Sequence, residues 1–277
     1  MAERIGLGLL LGGVAAPIAF SLVWALLYSL GLVGLLNDGF TTEHWQAVLS
    51  SRETWASVVL STWVAAVTVV LTAGFALLIT LGLRPALRRG PLSYLVFLPL
   101  AIPGTVAAFL TFQWFGGGGW VPRIAYALGL TSDTGELVSM VHDPIGLGMI
   151  VTHVAIAVPF FVLLFVQLYD TERLAELERL ATALGAKKRQ RVLRVTVPIL
   201  LRGAMTNLVL FFIVVLGSFE VPWLLGRQSP QMLSVLTYRK FSLFDLGQKP
   251  EAFAVALVYT ALVFGLLAVV FRRRRYA

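Results

Sequence analysis

Residues 170–198 read DTERLAELERLATALGAKKRQRVLRVTVP, the one long charged stretch that lies between apolar runs long enough to cross a membrane. Leu174, Leu177, Ala181 and Leu184 recur at spacings of 3, 4 and 3. That spacing puts them on one stripe of a helix and leaves Glu172, Arg173, Glu176 and Arg179 elsewhere. Thr171 is placed to cap such a helix, Glu172 and Glu176 suit the positive end of its dipole, and Gly185 can take the left-handed conformation that ends it. A second helix should follow with Lys187, Lys188, Arg189, Arg191 and Arg194. It reaches Pro198, a residue tolerated in the first turn of a next spanning helix.

Outward from this stretch the chain is apolar. Hydrophobic residues make up 58% of the 277 and charged residues only 13%, a balance that excludes an ordinary soluble domain and points to an all-α polytopic membrane protein. Apolar runs of roughly 18 residues or more give about six spans: 5–36, 55–83, 91–115, 144–169, 198–226 and 252–271. The third contains Pro99 and Pro103, each of which frees a backbone carbonyl and bends a helix, so it belongs inside a bundle. Residues 37–54 and 227–249 read as loops, and 116–143 as a longer loop with a short helix-like run up to Leu130. Residues 1–277 read as one membrane domain, with a core at 55–271 and the charged segment at 170–198.

The basic residues fall unevenly. Six spans put both termini on one side, together with Arg4, Arg84, Arg88, Arg89, the eight basic residues from Arg173 to Arg202 and the four terminal arginines, 16 in all. Six remain opposite: Arg52, Arg123, Arg227, Arg239, Lys240 and Lys249. By the positive-inside rule the termini and the 170–198 stretch are cytoplasmic, which accounts for the basic excess without nucleic acid. The chain has no cysteine, which excludes disulfides, thiolate metal sites and thiol nucleophiles. The four glycines at 116–119 are not a phosphate cradle, because a P-loop needs GxxxxGK and then Ser or Thr after a strand.

From Gly185, nine residues lead to Val195, Thr196, Val197 and Pro198. This spacing resembles the cytoplasmic loop of permease subunits of binding-protein-dependent ABC importers, whose pattern is Glu-Ala-Ala, three residues, Gly, nine residues, Ile-x-Leu-Pro. Where the family has Glu-Ala-Ala this chain has Arg179, Leu180 and Ala181, with a glutamate one place earlier at Glu178. The resemblance covers the second to the sixth span and implies the type I importer permease fold with a cytoplasmic coupling helix. It implies that Leu174, Leu177, Glu178, Ala181, Leu184, Gly185 and Ala186 contact an ATPase subunit. It also implies the partners: two ATP-binding subunits that hold ATP and Mg, a second identical or homologous permease, and an extracytoplasmic binding protein that delivers a small solute. The membrane would be a bacterial-type inner membrane, and no cofactor is expected in this chain. Gly119 to Leu130 is similar to a short outer segment of these permeases.

Ionisable groups at membrane depth cost roughly 2.5 to 3.5 kcal/mol on insertion scales and ask for a reason. Two stand out, Glu220 and His153. Glu220 lies in Gly217-Ser218-Phe219-Glu220-Val221-Pro222, which resembles the end of the fifth span in the polyamine, ferric iron and thiamine importer permeases. Glu220 and Pro222 are read either as part of the pathway or outer gate for a cationic solute, or as an interfacial acid reaching the headgroups. His153 is read as a packing residue or a pathway residue, and His44 and His142 have no partner at metal-binding spacing. Gln113, Gln167 and Asn207 are expected to bridge helices. Two other classes stay open. An ion-coupled secondary transporter would show paired intramembrane charges and repeated broken helices, and the coupling loop has no second copy. A membrane-embedded enzyme would need a catalytic grouping such as paired carboxylates, HExxH or Ser-His-Asp, and none appears.

Overall fold

The computed structural model describes residues 8, 11–34, 39–89, 96, 98–133 and 139–274. Every element among them is helical: α1 (Leu11–Ser29), α2 (Glu43–Ser50), α3 (Arg52–Arg89), α4 (Gly104–Phe115), α5 (Trp120–Ala127), α6 (Leu147–Thr171), α7 (Leu174–Ala183), α8 (Lys188–Leu216), α9 (Glu220–Leu225), α10 (Leu233–Ser242) and α11 (Gln248–Arg274). Five of these, α1, α3, α6, α8 and α11, have the length and apolar composition to cross a membrane. The beginnings of the expected first and third spans, and Arg4 and Arg275, lie outside the described residues. What is described of the third is a 3-10 turn, Leu98–Ala101, and then α4, with Pro103 at the helix N-cap. The break falls at the two prolines, where a missing N–H cannot continue an α-helical ladder.

Contacts divide the chain into two compact units, Met1–Leu60 with Ser229–Ala277, and Ser61–Gln228. The first is built on Val48, Leu233, Leu236, Ala254 and Val255, all buried. Tyr28 packs on Phe253 with ring centroids 4.6 Å apart, and Trp45 Nε1 donates to Ser29 Oγ at 3.0 Å. Arg239 pairs with Glu53 and Lys240 with Glu251, each at 2.6 Å. The expected loops at 37–54 and 227–249 thus contain α2 and α10. Leu233 and Leu236, three residues apart, bury one face of α10, and Arg239 and Lys240 lie in its last turn, where cations complement the helix dipole.

The second unit has its core where α3, α6 and α8 meet. Ala73 and Ala76 on α3 are small enough to let Phe161, Phe165 and Tyr169 of α6 pack closely, with Leu200, Ala204 and Leu208 of α8 behind them. Polar groups also join these helices. The hydroxyls of Thr152 on α6 and Thr111 on α4 are 2.7 Å apart, and Trp63 Nε1 donates to the Ile145 carbonyl at 3.1 Å. Asp143 caps α6, accepting from the amides of Ile145 and Leu147 at 3.1 and 2.9 Å, which satisfies donors a helix start leaves free.

The fifth span differs from expectation at both ends. The segment after Gly185 was expected to be a helix separate from the fifth span, yet Lys188–Leu216 is one continuous helix. Its residues Val192–Thr196 are π-helical, and the Val197 amide donates to the Val192 carbonyl. Pro198 has no amide to offer the Arg194 carbonyl, and the widened turn just before it absorbs that loss without breaking the rod. The fifth span also stops at Leu216 rather than near Gly226. Gly217 ends it, and Glu220 opens the separate short helix α9.

Candidate functional site

Two polar places in the second unit draw on the residues singled out by sequence. The first is the turn from α6 into α8. Thr171 does not cap α7 but ends α6, and the corner is made by Arg173 at φ +49. Directly after that corner Leu174 drops into the α3–α6–α8 core and is fully buried. The predicted stripe is therefore split: Leu174 is covered by the chain itself, Ala181 is half-buried, and Leu177 and Leu184 are exposed, Leu184 at 88%, with Leu180, outside the predicted set, exposed between them. Three leucines in the open on an eight-residue arc are an apolar surface awaiting cover.

Gly185 ends α7 at φ +82. Its amide donates to the Thr182 carbonyl and the Ala186 amide to the Ala181 carbonyl, both at 2.9 Å. This is the double bond pattern of a Schellman turn, and it requires the left-handed residue that glycine provides without steric cost. The turn brings α8 back alongside α7. Thr196, in the π-helical segment, donates its hydroxyl to Glu178 Oε1 at 2.6 Å, and Arg191 Nη1 donates to the Thr182 hydroxyl. Both ties join the helix after the glycine to the helix before it. Glu178 thereby belongs to the internal bracing of the turn, a role its sequence position did not reveal, since its partner is 18 residues away.

The second place lies where α4 and α9 meet. Glu220 is exposed, and its Oε2 accepts the Thr105 hydroxyl at 2.7 Å. Thr105 is in the first turn of α4, and a Cβ added at Gly104 would stand 3.3 Å from the same oxygen. The carboxylate thus sits against the positive end of α4, where a bare backbone lets it approach. Oε1 makes no hydrogen bond among the described residues. Pro222 and Leu225 are buried, and the Leu225 carbonyl accepts from the His142 amide at 2.8 Å, which fastens α9 to the loop before α6. Thr105 went unnoticed in the sequence because a threonine near a proline-broken helix has many uses, and only the tertiary contact selects this one.

The glycine turn follows the C-terminal end of α6, whereas Thr111 of α4 meets Thr152 near its N-terminal end. The 25 residues of α6 at about 1.5 Å each give it a length of about 37 Å, enough to cross a bilayer core. His153 joins neither polar place. It is buried and spends its Nδ1 on the Met149 carbonyl of its own helix at 2.7 Å. Gln113 and Gln167 are exposed and Asn207 is half-buried, and none of the three bonds another helix among the described residues. No grouping of three or more His, Cys, Asp or Glu that could hold a metal ion occurs among the described residues either.

The fold recurs in solved structures. One is the crystal structure of a bacterial ABC transporter involved in the import of the acidic polysaccharide alginate. It is 17% identical, has a TM-score of 0.67, and the match covers 99% of this chain and 98% of that one. Another is the bacterial alginate ABC transporter in complex with an alginate pentasaccharide-bound periplasmic protein, at 16% identity and TM-score 0.66, covering 96% and 94%. No curated protein matches the sequence. Residues 74–274 match the family described as binding-protein-dependent transport system inner membrane component. That stretch runs from the middle of α3 through the glycine turn and the Glu220 break to the end of α11, and the chain belongs to this family.

Proposed function

We propose that this permease subunit of an ABC importer receives the work of ATP through α7 and the glycine turn, and passes it along α6 and α8 to the helix break at Glu220. The observation that carries the reading is the exposed arc of Leu177, Leu180 and Leu184 on a helix clamped to the spans by the Schellman turn and the Glu178–Thr196 bond. An apolar arc on a braced helix suits a docking helix for an ATPase subunit. Two such subunits would hold ATP and Mg and close on nucleotide. A second permease, identical or homologous, would complete the pathway, and an extracytoplasmic binding protein would supply the solute. Closure would draw the coupling helices together and shift the pathway between inward- and outward-facing states. The break at α4 and α9 would be part of the pathway or its outer gate, with Glu220 Oε1 free to meet a cationic or hydroxyl-bearing solute.

The test is the coupling itself. With the transporter reconstituted together with its ATPase and binding protein, Leu180→Glu and Leu184→Glu should abolish solute-stimulated ATP hydrolysis while membrane insertion survives, because each would bury an unpaired charge in the docking contact. Stimulated hydrolysis equal to the parent's in both variants would overturn the reading.

A further inference from the structure

Where α6 turns into α7, helices α3, α6, α7 and α8 leave a cavity of about 440 Å³. Leu78, Leu81 and Val192 give it an apolar wall. Leu78 is 69% exposed, so the mouth opens onto the outer surface of α3, a helix apolar enough to face hydrocarbon. At the other side stand Lys188 and Arg191, three residues apart on the first turn of α8 and hence on one face. Arg191 is steadied by its bond to Thr182. The Lys188 ammonium makes no hydrogen bond or ion pair among the described residues. Glu178 is the acid in the lining, with one oxygen engaged by Thr196, so two cations stand against one carboxylate.

We propose that this cavity is a site for an anionic phospholipid of the leaflet on the α7 side. The phosphate lies between Lys188 and Arg191, and the acyl chain leaves past Leu78 along α3. Basic clusters between spanning helices recognise negatively charged headgroups in this way. A free inorganic anion would use the two cations but leave the leucine wall in water, which is why a lipid suits the cavity better. The lipid would touch α3, α7 and α8 together and so brace the turn from outside the chain. The site depends on the chain being a membrane protein and on nothing in the ATP-coupling reading.

The full chain, purified in detergent micelles doped with dioleoylphosphatidylglycerol and examined by native mass spectrometry, should retain one phospholipid. Dioleoylphosphatidylcholine at the same mole fraction should not be retained. Lys188→Gln should weaken retention about fivefold, the scale of one basic residue at an anionic surface. Arg189→Gln removes the same charge from an exposed neighbour outside the cavity and should leave retention unchanged. Equal losses in Lys188→Gln and Arg189→Gln would mean diffuse attraction to a basic surface, and equal retention of phosphatidylcholine would mean no charge recognition. Displacement of the lipid by millimolar inorganic phosphate would make the ligand a free anion. Each of these three results overturns the proposal.

Discussion

Leu174 and Leu184 are ten residues apart on one stripe and do opposite jobs. Leu174 is fully buried among the spans, whereas Leu184 is 88% exposed. Truncating a packed leucine removes its contacts and leaves a void. Leu174→Ala should therefore destabilise the isolated chain by about 2–5 kcal/mol, read as a lowered unfolding midpoint in detergent. Leu184→Ala should leave that midpoint unchanged and weaken retention of the ATPase subunit on purification. The two variants swapping these effects would show that the exposed arc is not the docking face. Gly185 is a second case at this scale. A Cβ there meets nothing within 4 Å, so any cost of Gly185→Val comes from the backbone alone, about 1–2 kcal/mol for holding a residue with a Cβ at φ +82. Insertion should survive and coupling should fall, checked as stimulated hydrolysis per mole of inserted protein. Glu220→Gln keeps the shape of the side chain and removes its charge. It should lower uptake of a cationic solute while leaving ATPase assembly intact, and unchanged uptake would return Glu220 to the role of an interfacial acid.

At the scale of the element, the continuous α8 and its π-helical segment carry the argument. An α-helix through residues 192–196 would turn Thr196 by a different angle. The extra residue per turn is what lets its hydroxyl reach Glu178 at 2.6 Å. A hydrogen bond to an ionised group contributes about 1.5–3 kcal/mol net. A double-mutant cycle with Glu178→Gln and Thr196→Val, scored on chain stability, should return a coupling energy at the lower end of that range, because Glu178 is only half-buried. A value near zero would mean that the tie does not brace the turn. The broken elements follow the same logic in reverse. Pro99, Pro103 and Gly217 stop regular ladders, and at both stops a polar group, Thr105 or Glu220, takes up the freed space.

For the molecule as a whole, the uneven distribution of basic residues predicts that the glycine-turn end of α6 faces the cytoplasm. In a chain without cysteine, Ala183→Cys should react with an impermeant maleimide only from the cytoplasmic side and Gln228→Cys only from outside. Both positions are exposed. Labelling of Ala183→Cys from outside would reverse the orientation taken from the charges.

The sequence alone determined the helical membrane class, the break of the third span at its prolines, and the glycine turn. Each of these depends on local composition: apolar length, prolines without an amide, and a left-handed corner open to glycine. It marked a helix-like run where α5 lies, a short apolar stretch after four glycines, without fixing it as a helix. It could not place α2 or α10, whose apolar residues are too few to rise above a polar loop until they pack against α11. It could not separate Leu174 from the rest of its stripe either, since helical spacing says which residues share a face and not where along the helix the neighbouring spans end. The partners Thr196 for Glu178 and Thr105 for Glu220 were likewise decided only by tertiary structure. They lie 18 and 115 residues away, and their meeting depends on a widened helical turn in one case and on two broken helices packing side by side in the other.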